Sequence, residues 1–353
     1  MNHNKIKVLI IDDSAVVRDL LEKGLSMDPE IEVVGKASDV YTARDKIVYL
    51  KPDVLTLDVE MPKMDGLEFL KRLMPQYPLP VVMVSSMTSE GAKVTLESLE
   101  AGAVDFVLKP AANVREGLKN MLQELIQKVK NASKIDVSRF KNRKPLEMKK
   151  VLPKILEGTT DKIIAIGAST GGTVALRKIV EEFPPDLPGT VIVQHMPAGF
   201  TKMFARSLNE IAKVEVKEAE DNDRVVTGRV LIAPGNYHME VMRSGGQYRV
   251  KLNQNPLVNG HRPSVDVLFS SLAESVGMNA VGVILTGMGR DGAAGLLEMR
   301  NAGARTLAQD EESSVVFGMP KEAYKNGGAE KLVGLSEIPF SILQFLKKNE
   351  GKK

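Results

Sequence analysis

The chain has 353 residues, with 48 Lys plus Arg against 45 Asp plus Glu and a formal net charge of +3. Its 43% hydrophobic and 5% aromatic content is that of a folded globular protein, which excludes disordered and fibrous classes, and its length suits two domains better than one. The absence of Cys removes disulfides, zinc–thiolate centres and cysteine nucleophiles together, and fits a reducing compartment.

In chain order, the first 127 residues alternate short apolar runs with helical patterns. The runs are Val8–Ile11, Glu32–Gly35, Val54–Leu57, Val81–Val84 and Asp105–Leu108, and helical spacing is clear over Ala15–Leu25 and Leu67–Leu73. Such alternation predicts a parallel sheet covered on both faces. Functional groups in these sheets gather just past the carboxyl ends of the strands. Asp12 and Asp13 follow the first run, Asp58 ends the third, Ser85 the fourth and Lys109-Pro110 the fifth. Three converging carboxylates repel unless a cation joins them, and a hard divalent ion such as Mg2+ suits the oxygens. Lys109 and Ser85 offer the charge and the hydroxyl that a transferred phosphoryl group needs. Each acid alone is an ordinary solvated strand end; it is their joint placement that points to a site.

Residues 5–125 resemble the receiver domain of two-component response regulators. The likeness rests on Asp12-Asp13-Ser14, Asp58 within Leu57-Asp58-Val59-Glu60-Met61-Pro62, Asp65-Gly66, Ser85 and Lys109-Pro110. It implies a flavodoxin-like (βα)5 fold in which Asp58 takes a phosphoryl group from a sensor histidine kinase. It further implies that Asp13 and Asp58 bind Mg2+ with help from Asp12 and the Glu60 carbonyl. Ser85, Phe106 and Lys109 are the implied switch residues, with Phe106 standing where some receivers carry Tyr. Lys109–Pro110 is often a cis pair in that family.

From Lys128 to Lys154 ten Lys/Arg stand against Asp136 and Glu147, apolar periodicity fades, and Pro145 and Pro153 punctuate the run. This reads as an exposed basic linker continuing from the end of a helix.

Alternation resumes at Ile163–Ile166, Thr190–Val193, Arg229–Ile232, Val281–Leu285 and Arg305–Ala308. Helical patterns lie at Val174–Glu182, Phe200–Ala212, Val265–Val276 and Ala293–Asn301. His238–Met242 and Tyr248–Leu252, joined through Ser244-Gly245-Gly246, predict a small antiparallel hairpin. The acidic run Glu218–Asp223 lacks the glycine and spaced ligands of a calcium loop and reads as solvated.

Gly167-Ala168-Ser169-Thr170-Gly171-Gly172 follows the first of these strands and precedes a helix. It satisfies G-x-S-x-G, which lifts a serine hydroxyl onto a tight turn with the next amide available to an oxyanion. Gly167, Gly171 and Gly172 also nearly spell a dinucleotide turn, and the motif alone does not decide between the two. Of the four histidines, only His195 directly ends a buried-type strand, in Gln194-His195-Met196-Pro197. Asp291, in Leu285-Thr286-Gly287-Met288-Gly289-Arg290-Asp291-Gly292, lies between a strand and a helix, where a bare N-cap would also explain it. Asp310 is its rival and Asp266 a weaker one. With Ser, His and Asp on one edge, His195 takes the Ser169 proton and the aspartate steadies the imidazolium. The chain order Ser–His–Asp differs from that of α/β-hydrolases.

Together with His261-Arg262-Pro263-Ser264-Val265-Asp266, these motifs over residues 160–348 resemble the chemotaxis protein-glutamate methylesterases, the CheB family. The resemblance implies Ser169 as nucleophile, His195 as base and Asp291 as its partner. It places Thr170 and the Met288 amide at the oxyanion, with no cofactor for the ester step. It implies hydrolysis of γ-glutamyl methyl esters on chemoreceptor cytoplasmic helices, with methanol released, and deamidation of receptor Gln. The unphosphorylated receiver is expected to cover the Ser169 edge, and phosphorylation of Asp58 to loosen that packing.

The expected organisation is therefore α/β in two domains: a receiver over 1–127, a basic linker over 128–157 and a doubly wound, mainly parallel esterase domain over 158–348. Two rivals are an output domain that binds a nucleotide and a DNA-binding regulator that uses the linker. The linker has no helix-turn-helix or zinc pattern and only Phe140 as an aromatic. No stretch approaches about 20 apolar residues and Met1–Lys7 is polar, so a cytoplasmic, monomeric protein without membrane insertion or nucleic-acid binding is expected.

Overall fold

In this computed structural model, residues 5–86, 88–110, 115–135, 137, 148 and 161–346 are described. They fall into two compact units, Met1–Pro145 and Leu146–Lys353.

In the first unit every apolar run becomes a strand: β1 (Ile6–Ile11), β2 (Ile31–Ala37), β3 (Val54–Asp58), β4 (Val81–Ser85) and β5 (Asp105–Leu108). Alternating with them are α1 (Ala15–Leu25), α2 (Val40–Leu50), α3 (Gly66–Gln76), α4 (Ser89–Glu100) and α5 (Arg115–Ala132). The strands pair in parallel in the order β2-β1-β3-β4-β5. β3 and β4 are buried along their whole length, which is why their sequences read as unbroken apolar runs. Four helices start on a side chain that accepts a free amide of the first turn: Ser14, Asp39, Asp65 and Thr88. Each such cap contributes about 1 kcal/mol.

Helix α5 carries the chain past the boundary expected at 127. Leu125, Val129 and Ala132 recur at helical spacing and are fully buried. Lys128 pairs with Asp105 at 3.0 Å and Glu124 at 2.8 Å, and Lys130 with Asp28 at 2.8 Å and Glu30 at 2.9 Å. The first basic residues assigned to the linker thus belong to the first unit. Most of the rest of that linker, residues 138–147 and 149–157, lies outside the described residues.

The second unit holds a seven-stranded parallel sheet. Its strands are β6 (Ile163–Ala168), β7 (Thr190–Gln194), β8 (Glu215–Glu218), β9 (Arg229–Ile232), β12 (Ala280–Ile284), β13 (Arg305–Gln309) and β14 (Leu332–Val333), while β10 (His238–Ser244) and β11 (Gln247–Asn253) form the hairpin. The helices are α6 (Gly172–Glu181), α7 (Phe200–Asn209), α8 (Val265–Ser275), α9 (Ala293–Asn301), α10 (Met319–Lys325) and α11 (Ile338–Leu346). Strand order is β14-β13-β12-β6-β7-β9-β8, with every pairing parallel. The hairpin turns through Gly245-Gly246, with Gly245 at φ 61°, the sense that hairpin turns require.

Two expectations need correcting. The run Glu218–Asp223 is not simply a solvated loop. Glu218 closes β8, the Leu252 amide donates to Asp221 at 2.8 Å, and Asn222 and Asp223 bond to Val250 at 2.9 Å each. Both the backbone and the carboxylates of this acidic run are engaged, with Glu218 accepting from Thr201 and Asp223 from the Glu220 amide and Lys217. Secondly, the cis peptide bond among the described residues is Arg262–Pro263, and Lys109–Pro110 does not share it. No described helix is long and apolar enough to cross a membrane.

Candidate functional site

On the first unit, Ile11 of β1 pairs with Leu57 of β3, so Asp12 and Asp58 leave the sheet side by side. Carboxylate oxygens of Asp12, Asp13 and Asp58 lie within 4.8 Å of one another, the first and last buried. Lys109 Nζ reaches Asp12 Oδ2 at 2.9 Å and Asp58 Oδ2 at 2.8 Å. Asp12 Oδ2 is buried and, beyond that ion pair, accepts no hydrogen bond of regular geometry. Burial pushes the Asp58 carboxyl up to about 6 against the pull of Lys109, with Asp12 adding to the rise. Despite its own burial, Lys109 is held above the ordinary lysine range by Asp58 and Asp12. A cluster of three carboxylates, two of them buried and neutralised by a single cation, fits a hard divalent ion such as Mg2+. Glu60 donates its amide to Asp58 Oδ1 at 3.3 Å, while its own carboxylate accepts from Ser86.

Ser85 and Phe106, the residues expected to form a switch, have partners that the sequence did not reveal. Thr95 Oγ1 on α4 donates to the buried Ser85 hydroxyl at 2.7 Å. Lys128 Nζ stands 5.1 Å from the centre of the Phe106 ring and also bonds the Phe106 carbonyl. A cation over an aromatic face is thus the partner of Phe106, where a tyrosine would offer a hydroxyl.

On the second unit, β6 lies where the strand order reverses, with β7 on one side and β12 on the other. Open parallel sheets leave a crevice past the strand ends at such a place. Ser169 follows β6. Its amide donates to Thr286 O at 3.0 Å, and its carbonyl accepts from Gly172 N at 2.7 Å and Gln194 Nε2 at 3.0 Å. Gly171 makes the turn at φ 78°, and a Cβ there would sit 2.6 Å from Val315. Glycine is needed on both counts. Gly167 lets α8 approach, since a Cβ there would lie 2.2 Å from Val265.

His195 follows β7, with its amide donating to Ala168 O at 3.0 Å, so it opens beside Ser169. Its Nε2 is 2.8 Å from Asp291 Oδ2, and its buried Nδ1 has no partner among the described residues. Asp291, 1% exposed, does not act as the cap of α9, whose N-cap is Gly292. Instead it accepts from Ser264 Oγ at 2.7 Å, Val265 N at 2.7 Å, Asp266 N at 3.3 Å and Asn259 Nδ2 at 2.9 Å. Burial alone would raise its pKa, but His195, Asn259 and Ser264 hold this carboxyl well below the usual range. Its place at the first turn of α8 adds the helix dipole. An ionised Asp291 can only accept, so Nε2 carries the ring proton and Nδ1 the lone pair.

Of the rival acids, Asp310 accepts from Ser313 through both its amide and its hydroxyl, and Asp266 from the Gly295 amide. Neither is bonded to His195. Thr170 lies 8% exposed on the serine turn, its carbonyl held by Thr286 Oγ1 at 3.0 Å. Met288 follows Gly287, where a Cβ would come within 2.8 Å of Ser169 Cβ, so this loop runs directly against the serine. Sequence reasoning passed over Asn259, Ser264 and the role of His261, whose ring stacks on His195 with centroids 3.7 Å apart and planes 14° from parallel. The Asn-Gly pair at 259–260 was the available signal, being a strong hairpin-turn sequence.

Two parallel α/β units, one with an acidic phosphoacceptor-type edge and one with Ser, His and Asp at a strand-order reversal, define a hydrolase joined to a receiver. The CheB methylesterase family model matches residues 164–342, and the response regulator receiver domain model residues 8–123. The chain belongs to the CheB methylesterase family and carries a response regulator receiver domain. It is 61% identical, over 97% of its length and 98% of the relative's, to a protein-glutamate methylesterase/protein-glutamine glutaminase from Syntrophotalea carbinolica. It is 54% identical to one from Sulfurimonas denitrificans, over 98% of this chain and 99% of that one. Among solved structures, the CheB methylesterase catalytic domain of Thermotoga maritima is 39% identical with a TM-score of 0.51, spanning 52% of this chain and 97% of its own.

Proposed function

We propose that this protein is a serine esterase that demethylates γ-glutamyl methyl esters on chemoreceptor cytoplasmic helices, with its rate raised by phosphorylation of Asp58. The observation that carries the reading is His195: Nε2 is bonded to a buried, ionised Asp291, and the opposite nitrogen is buried and unpartnered beside the Ser169 turn. Ser169 Oγ attacks the ester carbonyl and its proton passes to His195 Nδ1. The Thr170 and Met288 amides take the oxyanion. As the intermediate collapses, His195 returns the proton to the departing methoxide and methanol leaves an acyl-Ser169. Water, deprotonated by His195, then releases glutamate and restores the serine. A glutamine side chain follows the same path with ammonia as leaving group, in keeping with the double name of the relatives.

On the other unit, Asp58 receives the phosphoryl group from a sensor histidine kinase. Asp12, Asp13, Asp58 and the Glu60 carbonyl hold Mg2+, which when bound neutralises charge on the incoming phosphate. Lys109 pairs with a phosphoryl oxygen, and Ser85 and Phe106 relay the change. Phosphorylation acts as a two-state bias of a few kcal/mol. The proposed division is a receiver over 1–127, its last helix continuing to Ala132, a basic connector to 157 and a catalytic unit over 158–348. The protein works in the cytoplasm as a monomer and needs neither nucleic acid nor membrane insertion. Against a nucleotide-binding turn stands the use of its amides: those of Ser169 and Gly172 are spent on Thr286 and Ser169 carbonyls.

The test is methanol release from a methyl-labelled receptor fragment, with and without a small-molecule phosphodonor and Mg2+. The native protein is expected to release methanol faster with the donor, Ser169→Ala to lose at least about a thousandfold in rate, and Asp58→Asn to ignore the donor. Release that survives Ser169→Ala, or stimulation that survives Asp58→Asn, contradicts the corresponding half of the proposal.

A further inference from the structure

We propose that Asn259 is a positioning residue for the hydrolytic reaction, its side-chain amide holding Asp291 in line with His195. The inference rests on the reading of Ser169, His195 and Asp291 as the catalytic set.

Val258 and His261 bond to each other through both backbone groups, His261 N to Val258 O at 2.9 Å and Val258 N to His261 O at 3.1 Å. Between them Asn259 and Gly260 have φ of 51° and 81°, the two positive values that define a type I′ turn. Asn is among the few non-glycine residues that adopt this conformation readily. This one turn delivers two contacts to the site. His261 lays its ring on that of His195, and Asn259 Nδ2 donates to Asp291 Oδ1 at 2.9 Å and to Asp266 Oδ2 at 2.7 Å.

The two oxygens of Asp291 have separate tasks. Oδ2 faces His195 Nε2 and the Val265 amide, while Oδ1 takes Ser264, Asp266 N and Asn259. Asn259 is itself exposed, whereas Asp291 is 1% exposed, so the amide covers the carboxylate on the solvent side. It also stands between two carboxylates. Burial, with Asp291 alongside, pushes Asp266 up. Without a donor shared between them, the like charges face each other directly, and Asp291 Oδ1 is left with only Ser264 Oγ and the Asp266 amide to resist that repulsion. A small rotation there misdirects the imidazole, because the Asp291 bond sets where Nδ1 points.

The experiment compares kcat, KM and pH profiles of native protein, Asn259→Gly, Asn259→Asp and Ser169→Ala on the methyl-labelled receptor fragment. Rates of the native protein and the Asn259 variants are taken per reactive serine, counted with a fluorophosphonate, so that misfolded protein does not enter, and the rate of Ser169→Ala is taken per mole of protein. Glycine keeps the turn at φ 51° and removes only the amide. It is expected to lower kcat roughly tenfold at unchanged KM. Aspartate keeps the size but reverses the polarity, placing a third carboxylate beside Asp291 and Asp266. The titratable groups are then His261 and Asp291 against His195, with Asp266 and the new acid beside Asp291. The added negative charge favours the imidazolium, so the acid limb of kcat/KM is expected to move up by about one pH unit. Full kcat in Asn259→Gly, a change confined to KM, or an unmoved acid limb in Asn259→Asp overturns the positioning role. Activity in Ser169→Ala overturns the catalytic set beneath it instead, so the two failures are told apart.

Discussion

A carboxylate shut away from water ordinarily takes up a proton, yet Asp291 is surrounded by donors from His195, Asn259, Ser264 and two amides of the same helix start. Ser169 and His195 could be picked from the sequence because each directly follows an apolar strand, whereas Asp291 stood level with Asp310 until the family resemblance favoured it. The donors could not be picked, since Asn259 and Ser264 stand 32 and 27 residues from Asp291 in the chain. Asp291→Asn keeps the shape but leaves the imidazole without its acceptor. It is expected to lower kcat by about 10³–10⁴-fold at neutral pH. The depressed pKa of Asp291 also has a stability consequence. Stability from a carboxyl of this kind is complete above its unfolded pKa of about 3.9 and is lost as pH falls through the lower folded value. The difference in urea stability between the native protein and Asp291→Asn should therefore be steady at neutral pH and shrink below about pH 4; a gap that widens on acidification contradicts the assignment.

At the scale of elements, the buried strands of both sheets were legible because parallel strands covered on both faces spell continuous apolar runs. The edge strands of the second sheet were not, although β2 and β5 at the edges of the first were. β14 has two residues, too few for any period, and β8 reads Glu-Val-Lys-Glu with only Val216 fully buried. The end of α5 was hidden for a different reason: its lysines look like linker charge until Asp105, Glu124, Asp28 and Glu30 are seen beside them. The β6–α6 turn is the element on which the site depends most. Gly171→Ala forces a Cβ into a positive-φ residue and against Val315. Chemical denaturation should show the second unit weakened by about 1–3 kcal/mol, together with slower ester hydrolysis. A variant as stable and as fast as the native protein would mean that the turn does not hold the serine.

Across the whole molecule, the net charge of +3 conceals an uneven distribution. Residues 128–154 carry +8 and leave 38 basic against 43 acidic residues elsewhere. Part of that basic run is spent inside the first unit, where Lys128 and Lys130 neutralise its acids, so less of it is free than the sequence suggests. The surplus of acid lies in the first unit alone, since residues 1–127 hold 15 basic and 20 acidic residues whereas residues 155–353 hold 23 of each. The acidic cluster of the receiver makes its own demand at this scale. Chelation of divalent ions is expected to abolish stimulation by a phosphodonor and to leave the unstimulated ester hydrolysis intact, since no step at Ser169 calls on the Asp12–Asp13–Asp58 cluster. Loss of both on chelation would place the ion in the hydrolytic step.

The central claim is a serine esterase at Ser169 with His195 and Asp291 behind it. Its most direct test is mass-spectrometric mapping of the covalent intermediate, after acid quenching of the full chain during turnover of a receptor-derived γ-methyl glutamyl peptide. The account predicts an acyl adduct on Ser169 in the native protein that forms far more slowly when Asp291 is replaced by Asn and is absent from Ser169→Ala. An adduct on another residue, or turnover with no serine adduct under any of these conditions, would contradict it.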